Sequence, residues 1–339
     1  MSDWLQLLAF AKGHFGSALA LATLVGREGS SYRQPGARML VNDRGVYVGS
    51  LSGGCLEDDL ARFAQSVLTD GRSRLRTIDT RPHFGCPGRL EIFIERLPAS
   101  FFQDLALRIG ARAPCRLRTR FKSSAGPLGT TLETAARDDP PAYLDKGDFI
   151  GSAGKTCFTE DIGRQPRLVV VSGSDDVEPL RRFAELLGWQ FLRIVPLGEA
   201  ARREVVEGDF VCPAEDLPVR FPPDERTAVL IMTHNLARDT HYLRHALPAP
   251  YAYVGLLGSR RRRDTILAEL GEAGLLADES ITDRLYSPVG LDLGATDPAS
   301  IALSIVAEIQ SLWSGRSAVH LRQRRAPIHD TARVALARD

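Results

Sequence analysis

Two glycine-containing turns hold the residues of this sequence best suited to chemistry. In the first, Ser52-Gly53-Gly54-Cys55 leads into an amphipathic pattern whose apolar stripe is Leu56, Leu60, Phe63, Ala64 and Val67, with Gly71 just past its end. A strand, a glycine-rich loop and a helix in that order present free backbone N–H groups and the positive end of the helix dipole to an anion. The same field lowers the pKa of a thiol at the helix start, which makes Cys55 a candidate thiolate. Bland readings compete: paired glycines also close a tight turn, and a small thiol also packs as a hydrophobe. Glu57, Asp58 and Asp59 argue against an added anion, because they already complement the dipole. In the second turn, Gly258-Ser259 precedes Arg260-Arg261-Arg262-Arg263. A capping Ser, the dipole and guanidinium groups converge there on a phosphate-sized anion. Successive helical residues cannot all face one ligand, so a solvated charge run is the competing reading.

Further candidates lie outside these turns. Ser30, Ser31 and Arg33 belong to a polar loop with the composition to contact a phosphate or a heterocycle, and loop solvation explains them equally. Cys86 sits in a Gly-Cys-Pro-Gly turn. His234 follows an apolar run at the carboxyl edge where doubly wound sheets bind ligands, although a lone His in that place is more often structural. The five cysteines, Cys55, Cys86, Cys115, Cys157 and Cys212, are odd in number and contain no C-x-x-C pair. That argues against a disulfide framework and a structural zinc site.

Length and composition set the frame for these groups. With 339 residues, the chain is long enough for two domains. Its 44% hydrophobic and 25% charged residues suit an ordinary globular protein. A formal net charge of +1 argues against bulk nucleic-acid binding. No apolar run reaches membrane-spanning length, and the first residues lack a basic segment followed by an apolar core. A cytoplasmic protein is therefore expected.

The elements that must position the candidates follow from periodicity. A helix is expected over Asp3–His14, a buried strand over Ala18–Val25, and a hairpin of Arg38–Val41 with Val46–Val48 turning at Asn42-Asp43-Arg44-Gly45. A later strand alternates Leu90, Ile92 and Ile94 against Glu91, Phe93 and Glu95, which predicts one buried and one polar face. Residues 115–160 carry strand-like pieces without a clear order. Beyond Gly163 the texture changes. Strands at Leu168–Val171, Gln190–Val195, Ala228–Met232 and Tyr251–Leu256 alternate with helices at Val177–Leu187, Ala237–Ala246, Arg260–Leu270 and Pro298–Trp313. That alternation predicts a parallel sheet wrapped by helices. The expected organisation is a first domain over residues 1–163, a second over 164–320, and a basic tail over 321–339.

Four segments together resemble the XdhC/CoxI family. They are Glu28 to Met39, Gly49 to Glu57, Tyr253 to Arg261, and Ser287 to Ala295, in the family's order and spread over nearly the whole chain. The resemblance implies an α/β fold: an XdhC/CoxI-type mixed α/β domain followed by a Rossmann-like, doubly wound parallel sheet. It also implies a chaperone that binds molybdenum cofactor, protects it and delivers it to an apo xanthine dehydrogenase or related molybdenum hydroxylase. Some members cooperate with a cysteine desulfurase that supplies the terminal sulfido ligand of molybdenum, and a homodimer is the expected form. Under this reading the cofactor-binding residues are Ser30, Ser31, Arg33, Ser52, Gly53, Gly54, Cys55, Cys86, His234, Gly258, Ser259, Arg260 and Arg261. None is assigned a catalytic role, and Cys55 is the thiol suited to touch the soft molybdenum–sulfur centre.

The sequence departs from the family at two turns. Pro87 stands where members commonly have the first glycine of Cys-Gly-Gly, which removes one backbone donor beside Cys86. Ser172-Gly173-Ser174-Asp175 stands where members usually have Gly-Ala-Gly-His, and Val195-Pro196-Leu197 where they often have Asp-Pro-Arg. A dinucleotide fingerprint needs Gly-x-Gly-x-x-Gly and an acid at the end of the next strand. The alternative function, an NAD(P)-dependent oxidoreductase built on the second domain, is therefore disfavoured, and bound NAD(P) is not expected.

Overall fold

The computed structural model describes residues 2–29, 33–54, 56–80, 88–122, 127–134, 156–197, 208–275 and 282–325. The chain divides into two compact units, Met1–Arg164 and Gln165–Asp339. Among the described residues no helix is long and apolar enough to cross a membrane.

The first unit runs α1 (Ser2–Lys12), β1 (Leu19–Gly29), β2 (Arg38–Asn42), β3 (Tyr47–Gly49), α2 (Glu57–Asp70), β4 (Arg74–Asp79), β5 (Gly88–Leu97), α3 (Ala99–Gly110), β6 (Cys115–Arg120), β7 (Gly129–Thr134) and β8 (Cys157–Ile162). The first five strands form an antiparallel sheet in the order β3-β2-β1-β5-β4. Helix α2 lays Leu60, Ala64 and Val67 on one face, against Ala22, Met39, Val41, Ile92 and Ile94. It stops at Gly71, whose φ of 69° is left-handed and whose N–H caps the Val67 carbonyl. On the opposite face, Trp4 and Leu7 of α1 and Phe102 and Leu105 of α3 pack against Leu21 and Leu40. Burial from both sides explains why β1 reads as an unbroken apolar run rather than an alternating one.

The same two-sided cover corrects the expectation for β5. Phe93 and Glu95 do not face water; both are buried. Phe93 joins Val25, Phe121 and Phe158 in a second small core. Glu95 accepts the Thr130 N–H at 2.8 Å, and burial, the dominant influence, raises its pKa. The covering element is a three-stranded antiparallel sheet, β7-β6-β8, built from part of the stretch that has no clear order in sequence. A buried ion pair, Arg38 to Glu160 at 2.6 Å, connects β2 to β8, with the Arg38 guanidinium 4.4 Å above the Trp4 ring.

The second unit runs β9 (Arg167–Val171), a 3-10 turn (Asp175–Val177), α4 (Glu178–Leu186), β10 (Gln190–Val195), β11 (Asp209–Val211), a second 3-10 turn (Ala214–Asp216), α5 (Leu217–Arg220), β12 (Thr227–Ile231), α6 (Leu236–Ala246), β13 (Tyr253–Leu256), α7 (Arg260–Glu272), β14 (Leu285–Tyr286) and α8 (Pro298–Ser314). All six strands are parallel, in the order β11-β10-β9-β12-β13-β14. This is a Rossmann-type doubly wound sheet, and its strand order reverses between β9 and β12. Val169, Val171, Val229 and Ile231 face α6 and α7, while Leu168, Val170, Ala228 and Leu230 face α4 and α8. Tyr251, expected to open β13, precedes the strand. Its hydroxyl donates to the Phe221 carbonyl at 2.7 Å, which holds it in the loop.

The fourth signature segment also has a packing role. Gly290 has a φ of 101°, and a Cβ there would collide with the Ser304 hydroxyl of α8. The Gly290 N–H donates to Glu308 at 3.0 Å, the carboxylate that also accepts the Tyr253 hydroxyl at 2.6 Å. Only a residue without a side chain allows this approach.

Candidate functional site

The first glycine turn is built around a single carboxylate. Glu57, the first residue of α2, is 2% exposed. Its Oε1 accepts the Ser50 hydroxyl at 2.7 Å and the N–H groups of Leu51 and Ser52 at 2.9 Å each. Its Oε2 accepts the Ser52 hydroxyl at 2.8 Å and the N–H groups of Gly54 and Leu56 at 3.0 Å each. The remaining described donor, the Gly53 N–H, goes to the Ser50 hydroxyl at 3.0 Å. Burial alone would raise the Glu57 pKa, but the Ser52 N–H, the two serine hydroxyls and the Leu51 N–H hold it at about 2. The turn has the anion-cradling form that its glycines and serines suggest. The anion it holds is the protein's own side chain.

Arg33 brings the neighbouring loop to this turn. Its Nε donates to the Ser50 carbonyl at 3.1 Å, and it pairs with Asp3 of α1 at 3.3 Å. Gly49 shows how tightly the turn joins the sheet. Its φ is 87°, and a Cβ there would lie against the Arg38 carbonyl oxygen, which is backbone and cannot move aside.

In the second unit, the candidates gather at the carboxyl edge of the parallel sheet. His234 follows β12 with a φ of 58°, a left-handed conformation uncommon outside glycine. Its Nε2 lies 3.0 Å from Asp176, in the turn after β9. The pair thus spans the point where the strand order reverses. Asp176 Oδ1 is buried without a hydrogen-bond partner.

The arginine run separates into two classes. Arg262 is bound to Asp239 of α6 through both Nε, at 3.0 Å, and a terminal nitrogen. Asp239 is fully buried and also accepts the Thr233 N–H at 3.1 Å and the Thr233 hydroxyl at 2.6 Å. Arg263 pairs with Asp264 and donates to the Ser287 carbonyl at 3.0 Å. Arg260 and Arg261 are exposed, and no hydrogen bond or ion pair among the described residues engages their side chains. They flank the start of α7, where Ser259 caps the Arg262 N–H at 3.3 Å. The N–H groups of the first two helical residues there have no intrahelical partner. A Cβ on Gly258 would sit 2.7 Å from Arg262 Cδ, so this glycine makes room for the bound arginine.

Arg33 and Ser52-Gly53-Gly54 therefore meet in the first unit, and Gly258, Ser259, Arg260 and Arg261 in the second, on the same sheet edge that carries His234. Ser30, Ser31, Cys55 and Cys86 lie outside the described residues. Of the other thiols, burial pushes Cys115 up to about 11 and raises Cys212, so neither is a nucleophile near neutral pH. In sequence Glu57 is only a general argument against an anion, and Asp239 does not stand out at all. The one signal for Asp239 is its place in the first turn of α6, behind the capping Asn235.

Comparison with known proteins agrees with this architecture. The XdhC and CoxI family model matches residues 15–79, and the XdhC Rossmann domain model matches residues 168–309. A Bacillus subtilis protein described as one of the probable subunits of xanthine dehydrogenase is 26% identical over 319 residues, covering 85% of this chain and 91% of that protein. The Escherichia coli molybdenum cofactor insertion chaperone PaoD is 28% identical over 305 residues, covering 88% and 84%. A crystal structure described as a xanthine dehydrogenase from Bacillus halodurans superposes with a TM-score of 0.74 at 27% identity, covering 94% of this chain and 97% of that one. With both family models matched along the chain and the solved structure superposing over 94% of it, the chain belongs to the XdhC and CoxI family.

Proposed function

We propose that the chain binds molybdenum cofactor, protects it and inserts it into a xanthine-dehydrogenase-type molybdenum hydroxylase, acting in the cytoplasm as a chaperone rather than as an enzyme. The names of the Bacillus subtilis and Escherichia coli relatives support this reading. The observation that carries it is the start of α7, where no side-chain contact among the described residues commits Arg260 and Arg261, beside a capped helix terminus. Molybdopterin ends in a phosphate, the group such a terminus favours. The Ser52–Gly54 amides are not part of the reading, since Glu57 takes those of Ser52 and Gly54 and the Ser50 hydroxyl takes that of Gly53. An apo hydroxylase is the client, a cysteine desulfurase the second partner when molybdenum is sulfurated, and a homodimer the working form.

Exchanging Arg260 and Arg261 for Gln is expected to weaken cofactor retention by about ten- to a hundredfold, because charge-assisted contacts to phosphate contribute about 1.5–3 kcal/mol. Molybdenum and pterin would be assayed in protein purified with the cofactor present. Retention equal to the parent in the double variant, with unchanged melting, would return these arginines to an ordinary solvated face.

The second unit is also expected to bind NAD and NADP no more tightly than the high-micromolar range. Asp175 and Asp176 place two carboxylates in the turn where a dinucleotide's pyrophosphate sits in such folds, and His234 is already paired to Asp176. A calorimetric titration giving a low-micromolar dissociation constant for either nucleotide would overturn this expectation.

A further inference from the structure

On α6 and the turn packed beside it, three potential ligands converge. His241 and His245 are four residues apart on one helix, so their rings project from the same side; their centroids are 5.5 Å apart. The third group is Glu215, from the 3-10 turn Ala214–Asp216, whose carboxylate lies 3.5 Å from His241 Nε2. One ligating atom from each of the three falls within 4.8 Å of the others. Tetrahedral zinc with bonds of about 2.0–2.1 Å separates its ligands by about 3.4 Å, so small side-chain rotations would close the set.

We propose that Glu215, His241 and His245 bind a divalent transition-metal cation of the zinc type, leaving the fourth coordination position open. Two imidazoles and a carboxylate are the donor set for zinc, nickel or cobalt. Magnesium and calcium prefer all-oxygen sites, and copper(I) prefers sulfur. The scaffold beneath the ligands is fixed before any metal arrives. Tyr242 of α6 donates its hydroxyl to the Cys212 carbonyl at 2.6 Å, which clamps the strand end that leads into the Glu215 turn. Ala214 and Leu217, on either side of Glu215, are buried in the core that includes Tyr242 and Leu243. Glu215 thus presents its side chain from a turn already docked on α6.

His245 is half-buried, whereas Glu215 and His241 are open to solvent, so an ion could reach the set from outside. The bound metal would tie the Ala214–Arg220 segment to α6 and stabilise the folded second unit by linkage.

The test uses the full chain without an affinity tag. Cobalt(II) titration is expected to reach one ion per chain, with d–d absorption and no thiolate charge-transfer band. Zinc is expected to raise the melting temperature of the parent but not of His241→Gln, His245→Gln or Glu215→Gln, which melt like the parent in chelator. Affinity in each variant should fall by at least the roughly 10–100-fold that loss of a partner behind a ligand costs. Three results would each overturn the site: no stoichiometric binding to the parent, unchanged binding in the His245 and Glu215 variants, or a thiolate band showing that cysteines hold the metal.

Discussion

Glu57→Gln should destabilise the protein by about 3 kcal/mol at neutral pH, more than any exposed substitution in either turn. Each Glu57 oxygen accepts one hydroxyl and two backbone N–H groups. A Gln amide turns one of those oxygens into a donor, whichever way it is flipped. Two backbone N–H groups, one of them buried, then face an NH2, at about 1–3 kcal/mol for each donor left unsatisfied. The pH dependence gives an independent measure. The folded Glu57 pKa is lowered from 4.5 to about 2. Its contribution is therefore complete above the unfolded value and is lost as pH falls through the folded one. That shift corresponds to about 3 kcal/mol. Urea melts of parent and variant should differ most above pH 5 and converge as pH approaches 2. A difference that stays constant over this range would mean that Glu57 is not the ionised hub of the turn.

Arg262→Ala should cost about 3–5 kcal/mol, whereas Arg260→Ala and Arg261→Ala stay within about 0.5 kcal/mol of the parent. Four consecutive arginines of the same composition thus split into structural and free members. Asp239 has no solvent exposure, and Arg262 is the cation paired with it. Truncating Arg262 leaves a buried carboxylate facing the two Thr233 donors without its guanidinium. The penalty is that of an uncompensated charge, not that of a lost surface pair. Arg262→Lys should recover only part of the loss, since a point charge cannot reproduce the two-nitrogen contact. Equal melting temperatures for Arg260→Ala and Arg262→Ala would show that the Asp239 pair carries no such weight.

The framework of the fold is legible in the sequence because strand and helix periods are local. The alternation beyond Gly163 leads to the parallel sheet through four of its six strands, the short edge strands β11 and β14 being absent from it, and the stripe from Leu60 to Val67 leads to α2. Helix α3 carries an equally regular stripe, Phe101, Phe102, Leu105 and Ile109, which the expected elements do not include. What no window of sequence contains is a partner from far away. Phe93 and Glu95 look like a solvated face until β7-β6-β8 covers them. Arg262 and Asp239 are 23 positions apart, and His234 and Asp176 are 58 apart. For the same reason the arginine run reads as one patch, although Arg262 serves the interior of the unit and Arg263 is tied to Asp264 and the Ser287 carbonyl. The glycine turn after β3 has the look of an anion cradle, but hydrogen-bond partners are needed to say which anion.

The location of that anion sets which competitors the turn can admit. Glu57 is linked to the amides it binds by only a few residues of chain. A tethered ligand of this kind acts at an effective concentration at or above about the millimolar level of short flexible linkers, and a folded backbone raises it further. Inorganic phosphate or a nucleotide would have to displace a competitor that cannot diffuse away. The turn is thus insulated from inorganic phosphate and phosphorylated small molecules.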